Sequence, residues 1–180
     1  LDALYYLNRE SQSHFLNCGY GPGHSVREII RVVRQVTESN FKDMLLFLGY
    51  LKSDEVFEKK FPHFGASMRV DFSTRKLHYP DAIRGRERND GFDTPENFVV
   101  FECLNRLLAK GYRPEHIELE KEWHLGHDAK SGRADVCVTD AKGSMLFIIE
   151  CKTRGKEFNK ALSNTKSDGA QLFSYWQQEQ

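Results

Sequence analysis

The sequence predicts an α/β fold, a mixed central sheet flanked by helices, and three stretches carry that prediction. Residues 145–149 are continuously apolar, as a central strand covered on both faces should be. In residues 133–139 the apolar Ala134, Val136 and Val138 alternate with Arg133, Asp135 and Cys137, the period of a strand. Residues 94–111 read as a helix, with Thr94 as N-cap, Pro95 at the first helical position, apolar Phe98, Phe101, Leu104, Leu107 and Leu108, and Gly111 as terminator.

The chain has 180 residues, 39% apolar and 29% charged, which is one domain or one domain with a piece of another. Folding at this length buries roughly 70% of the surface an unfolded chain exposes, so a core forms without disulfides or structural metal. Collagen-like, mucin-like and disordered classes are excluded by composition. No apolar run approaches the roughly 20 residues that cross a bilayer, so the reading is a soluble chain with no membrane partner. With 26 basic residues against 26 acidic ones, any nucleic-acid binding must come from local patches. Cys18, Cys103, Cys137 and Cys151 are widely spaced and read as reduced residues of a cytoplasmic protein. The chain starts at Leu1 and stops within an expected helix, and it reads as an excerpt of something longer.

Residues 1–37 form a unit distinct from residues 38–180 and read as an N-terminal helical appendage. Residues 2–7 suggest a helix end and 14–17 a short strand. Gly19, Gly21 and Gly23 form a loop, and Ser25 with Glu28 makes a capping box for a helix carrying Val26, Ile29, Ile30, Val33 and Val36. The spacing lacks the last glycine of the dinucleotide fingerprint, so a tight turn into a helix is the plainer reading. After the seam, residues 41–48 predict a helix closed by Gly49, and 56–61, 67–72 and 77–79 predict strands. Residues 81–93, with Arg84, Arg86 and Arg88, read as a polar mobile loop. The helix at 94–111 follows, then strands at 117–123, 133–139 and 145–149, and a final helix.

Glu150 and Lys152 end the most apolar strand and, two apart, leave the same face of the sheet. If the turn at 140–143 closes with an even number of loop residues, Asp135 lies opposite Ile148 and shares that face. Two carboxylates within about 4 Å repel by roughly 4 kcal/mol at an effective dielectric near 20, so such a pair requires a cation. Oxygen ligands with several waters suit Mg²⁺, and a neighbouring lysine suits phosphodiester hydrolysis. An edge salt bridge is the plain alternative. His124 and His127 lack a cysteine partner nearby and make a poor zinc site. Lys152, Arg154, Lys156 and Lys160 read as a strip suited to tracking phosphates, with a solvated charge run as the plain alternative.

Asp135, Glu150 and Lys152 together resemble the PD-(D/E)xK nuclease motif, with Ala134 in place of the usual proline. Gln171 and Tyr175, four apart on the terminal helix, resemble the Gln-x-x-x-Tyr element that accompanies it. Over roughly residues 40–180 the chain is similar to the amino-terminal nuclease region of type I and single-chain restriction-modification proteins. That resemblance implies a restriction-endonuclease-like core and Mg²⁺-dependent cleavage of double-stranded DNA. Asp135 and Glu150 would hold metal, Lys152 would assist the attacking water, and Gln171 would contact the substrate or brace the site. A glutamate of the first core helix often joins such sites, and Glu102 is the matching candidate; a structural reading pairs it instead with an arginine at the helix edge. DNA contacts fall to Arg154, Lys156, Lys160 and Tyr175. A methylase or helicase domain, or a specificity subunit, is the implied partner, and ATP or S-adenosylmethionine would enter only through such absent domains. Residues 15–37 resemble the carboxy-terminal part of UDP-glucose 4-epimerases, without that family's Tyr-x-x-x-Lys pair. Two rival functions remain: a non-catalytic DNA- or subunit-binding relative of the nuclease fold, and a sugar-nucleotide epimerase fragment.

Overall fold

The computed structural model describes residues 5–8, 13–15, 37–123, 132–153, 156 and 159–160. Thr37 opens helix α1 (Glu38–Phe47), where its amide donates to Asn40 Oδ1 at 2.9 Å; this cap starts the helix earlier than its apolar pattern. Gly49, at φ 84°, then turns the chain into a four-stranded meander, β3 (Leu51–Ser53), β4 (Val56–Phe61), β5 (Ala66–Asp71) and β6 (Lys76–His78). Helix α2 (Pro95–Ala109) follows, and then β7 (Ile117–Trp123), β8 (Gly132–Thr139) and β9 (Met145–Glu150).

These last three strands belong to a second sheet of order β2-β1-β9-β8-β7, in which β1 is Tyr5–Asn8 and β2 is Ser13–Phe15. The apolar strand β9 is therefore central, as its composition demands. Tyr5–Asn8 is a strand where a helix end was expected. The run Tyr5, Tyr6, Leu7 favours an extended backbone and completes the hydrogen bonding of β9, pairing antiparallel with Tyr5 across from Glu150. The glycine loop and the helix expected at 25–36 lie outside the described residues. An α/β architecture is present, but the described strand pairings are antiparallel in both sheets. Among the described residues parallel pairing is limited to the isolated bridge Arg84–Glu118, unlike the mixed sheet expected.

One core joins the two sheets, and α2 supplies its largest share. Phe98, Phe101, Leu104, Leu107 and Leu108 are buried as expected, and so are Val99, Val100 and Cys103 on other sides of the helix. A helix buried nearly all round needs cover on more than one side. Phe57, Met68, Val70 and Leu77 of the meander, and Ile117, Leu119, Val136, Val138, Phe147 and Ile149 of the five-stranded sheet, are in the same apolar cluster.

Residues 81–93 are not the polar mobile loop expected. Ile83 and Phe92 are buried, Asn89 is 4% exposed, and Arg84, Arg86 and Arg88 pair with Glu118, Asp81 and Glu122. Charge alone predicted mobility, but apolar side chains at 83 and 92 anchor the segment and its arginines find acceptors on its own turn and on β7. Among the described residues no helix is long and apolar enough to cross a membrane.

Candidate active site

The hairpin from β8 to β9 decides whether the charged groups meet. Asp140 Oδ1 accepts from the amides of Lys142 and Ser144, both at 2.8 Å, and Gly143 takes φ 82°, so the turn carries a glycine bulge. By itself that bulge shifts the pairing by one residue and sends Glu150 to the opposite face. A second irregularity restores it. Thr139 pairs with Met145 but Val138 pairs with Phe147, which leaves Leu146 as an extra residue. The register continues through Cys137 with Ile148 and Val136 with Ile149, and its next step puts Asp135 across from Glu150. The expected partner was Ile148; two shifts of one have moved the partner by two and kept the face.

The Lys152 ammonium lies among three carboxylates. Its Nζ is 2.7 Å from Glu150 Oε1, 3.0 Å from Glu96 Oε1 and 3.8 Å from Asp135 Oδ2, and it donates to the Cys151 carbonyl at 3.0 Å. Asp135 Oδ2 also accepts the Cys151 amide at 2.5 Å, so the backbone just beyond β9 fixes the carboxylate on β8. Side-chain exposure is 13% for Asp135, 17% for Glu150 and 24% for Lys152, so these charges are largely withdrawn from water.

Burial and the Glu150 charge push the Asp135 carboxyl up to about 8, against the pull of Lys152 and the Cys151 amide. Burial also raises Glu150, with Glu96 and Glu120 adding repulsion and Lys152 opposing it. For Lys152 burial works against the charge, yet Asp135, Glu150 and Glu96 together outweigh it and raise its pKa. One ammonium therefore serves several acids. Glu150 Oε2 is buried without a hydrogen-bond partner.

That orphaned oxygen and the raised acids fit a hard divalent cation. Among the described residues no three His, Cys, Asp or Glu side chains form a ready-made metal cage. Mg²⁺ does not require one, because it keeps several waters and binds through one or two carboxylates. Asp135 and Glu150 are the two carboxylates that could hold it.

Glu102 is not among the groups brought together. It forms a buried i,i+4 pair with Arg106, the structural reading of that residue. Glu96, six residues earlier on α2 and so about a third of a turn away in direction and roughly 9 Å along the axis, reaches Lys152 instead. An acidic residue directly after Pro95 reads as a complement to the helix dipole, which concealed it. Lys156 and Lys160 are helical and exposed. Arg154, Gln171, Tyr175, His124 and His127 lie outside the described residues.

Glu120 is the other acid that sequence reading missed. It stands in β7 at φ 53°, with Leu119–Val136 and Lys121–Ala134 paired on either side of it. No pattern of composition or spacing announces such a backbone. Comparison with protein-family models, with curated proteins and with solved structures returns no match.

Proposed function

We propose that the chain is a Mg²⁺-dependent DNA endonuclease domain of the PD-(D/E)xK kind, part of a restriction-modification polypeptide. The observation that carries this reading is the convergence of Asp135, Glu150 and Lys152 in a largely buried cluster, with one Glu150 oxygen left without a partner. An ordinary edge salt bridge needs neither the burial nor the excess of acid. The restriction-modification context rests on the resemblance over roughly residues 40–180.

Asp135 and Glu150 would hold Mg²⁺, which when bound supplies electrostatic stabilisation of charge on a phosphoryl oxygen. The Cys151 amide keeps Asp135 in place. Lys152 stays protonated at neutral pH because the surrounding acids raise its pKa, so it can donate to the attacking water or to a phosphate oxygen as charge develops. Glu96 holds the ammonium from the α2 side and orients it.

The test is incubation of duplex DNA with the chain in Mg²⁺ or Mn²⁺ and in EDTA, with Asp135→Ala as control. Cleavage should require the metal and vanish in the variant. DNA binding without cleavage at any metal concentration would move the assignment to the non-catalytic relative.

A further inference from the structure

The candidate site poses a problem for its own substrate: Glu96, Asp135 and Glu150 share a single lysine, Glu120 adds its charge near Glu150, and a polyanion approaching them is repelled. A cation at the rim is required. Arg133 precedes Asp135 by two on β8, so the two share a face, and its side chain is 56% exposed.

What holds Arg133 is unusual for a surface pair. Its Nε lies 2.6 Å from Glu120 Oε2, close enough for an ion pair although not aligned as a hydrogen bond. Glu120 is only 8% exposed, and Asn89 Nδ2 donates to its other oxygen at 3.2 Å. Asn89 is itself buried, and its carbonyl accepts the Tyr79 hydroxyl at 2.9 Å. The loop reaches this position because Arg84 bridges to β7, with Leu119 N donating to Arg84 O at 2.8 Å. Gly85 makes the approach possible: a Cβ there would stand 2.1 Å from the Leu119 carbonyl. Glu120 adopts φ 53° within the strand, a conformation that side chains disfavour and that persists where the surroundings enforce it. A solvated ion pair needs no buried acid, no buried amide and no strained strand.

We propose that Arg133 is a phosphate clamp for nucleic acid beside the candidate centre, held in position by Glu120 and, through it, by Asn89. The clamp deepens the nuclease reading and rests on it. With Nε engaged by Glu120 and no ion-pair partner for Nη1 or Nη2 among the described residues, that end of the guanidinium can grip a backbone phosphate, the planar fork suiting two phosphate oxygens. Glu120 and Asn89 act through Arg133 and are positioning residues.

The experiment measures binding of a fluorescent duplex by anisotropy at several salt concentrations, in Ca²⁺, and single-turnover cleavage in Mg²⁺. Arg133→Gln should weaken binding by about 10-fold and reduce the slope of log Kd against log salt by about one. The cleavage rate at saturating DNA should stay within about 3-fold of wild type, since a clamp serves binding in the ground state and transition state alike. Arg133→Lys should restore the salt slope but not the full affinity, because a point charge replaces a fork. Glu120→Gln should weaken binding while leaving that slope intact, the signature of lost positioning rather than lost charge. An unchanged Kd and slope in Arg133→Gln, with wild type cleaving normally, overturns the clamp and spares the nuclease. Wild type that shows the Arg133-dependent slope but never cleaves keeps the clamp and removes the nuclease. Wild type that does not bind duplex DNA overturns both.

Discussion

Asp71, at the end of a strand in one sheet, and Asp135, midway along a strand in the other, carry the same carboxyl group, and the fold drives them in opposite directions. Asp71 ends β5, where its Oδ1 accepts the Ser73 hydroxyl at 2.6 Å and the amides of Ser73 and Thr74 at 2.9 and 3.1 Å. The Ser73 hydroxyl above all, then the Thr74 amide, hold it at about 2. Asp135 accepts one amide and faces a second acid in a place largely closed to water. The ion pairs around the meander repeat the contrast: Lys42–Glu55, Arg75–Glu38 and Lys76–Asp90 are each at least 40% exposed at both partners. Exposed pairs of this kind add little stability, whereas the cluster around Lys152 is maintained against desolvation. Asp71 is satisfied by its own turn, whereas Asp135 shares one ammonium with two other acids, of which Glu150 keeps an oxygen without a hydrogen-bond partner.

The largest effect that distinguishes the two regions is on catalysis. Lys152→Ala should cut DNA cleavage by about 100-fold or more while leaving duplex binding nearly intact, because the ammonium acts where charge develops. Cleavage persisting at the wild-type rate refutes the assigned role. Glu96→Gln should give a smaller loss, about 10-fold, by releasing Lys152 from its α2-side partner. Glu102→Gln separates structure from chemistry on the same helix. It should destabilise the fold by about 1–2 kcal/mol, since the part-buried Arg106 exchanges a carboxylate acceptor for a weaker amide one, and leave cleavage per folded molecule unchanged. Urea melts beside single-turnover rates check both; equal catalytic losses from the two glutamates would erase the distinction between them.

The elements were largely legible in the sequence, and the charged centre was legible in its residues but not in its geometry. Val56–Phe61 and Ile117–Trp123 form where alternation and turn residues place strands, and α2 runs between the stop signals Thr94 and Gly111. Local chemistry writes such signals directly. The pairing of Asp135 with Glu150 depends on two bulges, and only the first, at Gly143, has a residue that announces it; the extra Leu146 does not. Glu96 was hidden because a glutamate in a first helical turn already has a sufficient local reason to be there. The loop at 81–93 was misread because its charges find partners far away in the sequence, Arg84 on Glu118 and Arg88 on Glu122.

A moderate effect lies in stability against pH. Asp135 and Glu150 have folded pKa values raised above those of the unfolded chain, so the folded protein binds more protons than the unfolded one between the two. The Asp135 contribution is fully present below about pH 4 and is lost as pH rises toward about 8, and Glu150 acts in the same direction. In EDTA the urea midpoint should therefore fall over that window, and Asp135→Asn should flatten the fall and raise the midpoint at pH 8. Mg²⁺ should raise the wild-type midpoint at pH 8 and do less for the variant. A wild-type midpoint that is flat across the window, or that responds to Mg²⁺ no more than the variant does, shows that the acids are not held under strain.

The smallest effect is expected at Asp71, and its sign is opposite. A carboxylate whose folded pKa is depressed adds stability that is present above the unfolded value, near 4, and is lost as pH falls through about 2. Asp71→Asn should lower the urea midpoint slightly at pH 7, because an amide accepts more weakly from Ser73 and Thr74, and the deficit should close near pH 2. The turn stands at the surface, so water is ready to replace each lost bond and the change should be near the limit of measurement. Asp135→Asn should move the midpoint the other way at neutral pH. If both substitutions shift it in the same direction, the contrast between a turn carboxylate and a site carboxylate fails at its simplest point, since it rests on one acid stabilised by its own turn and one buried beside a second acid.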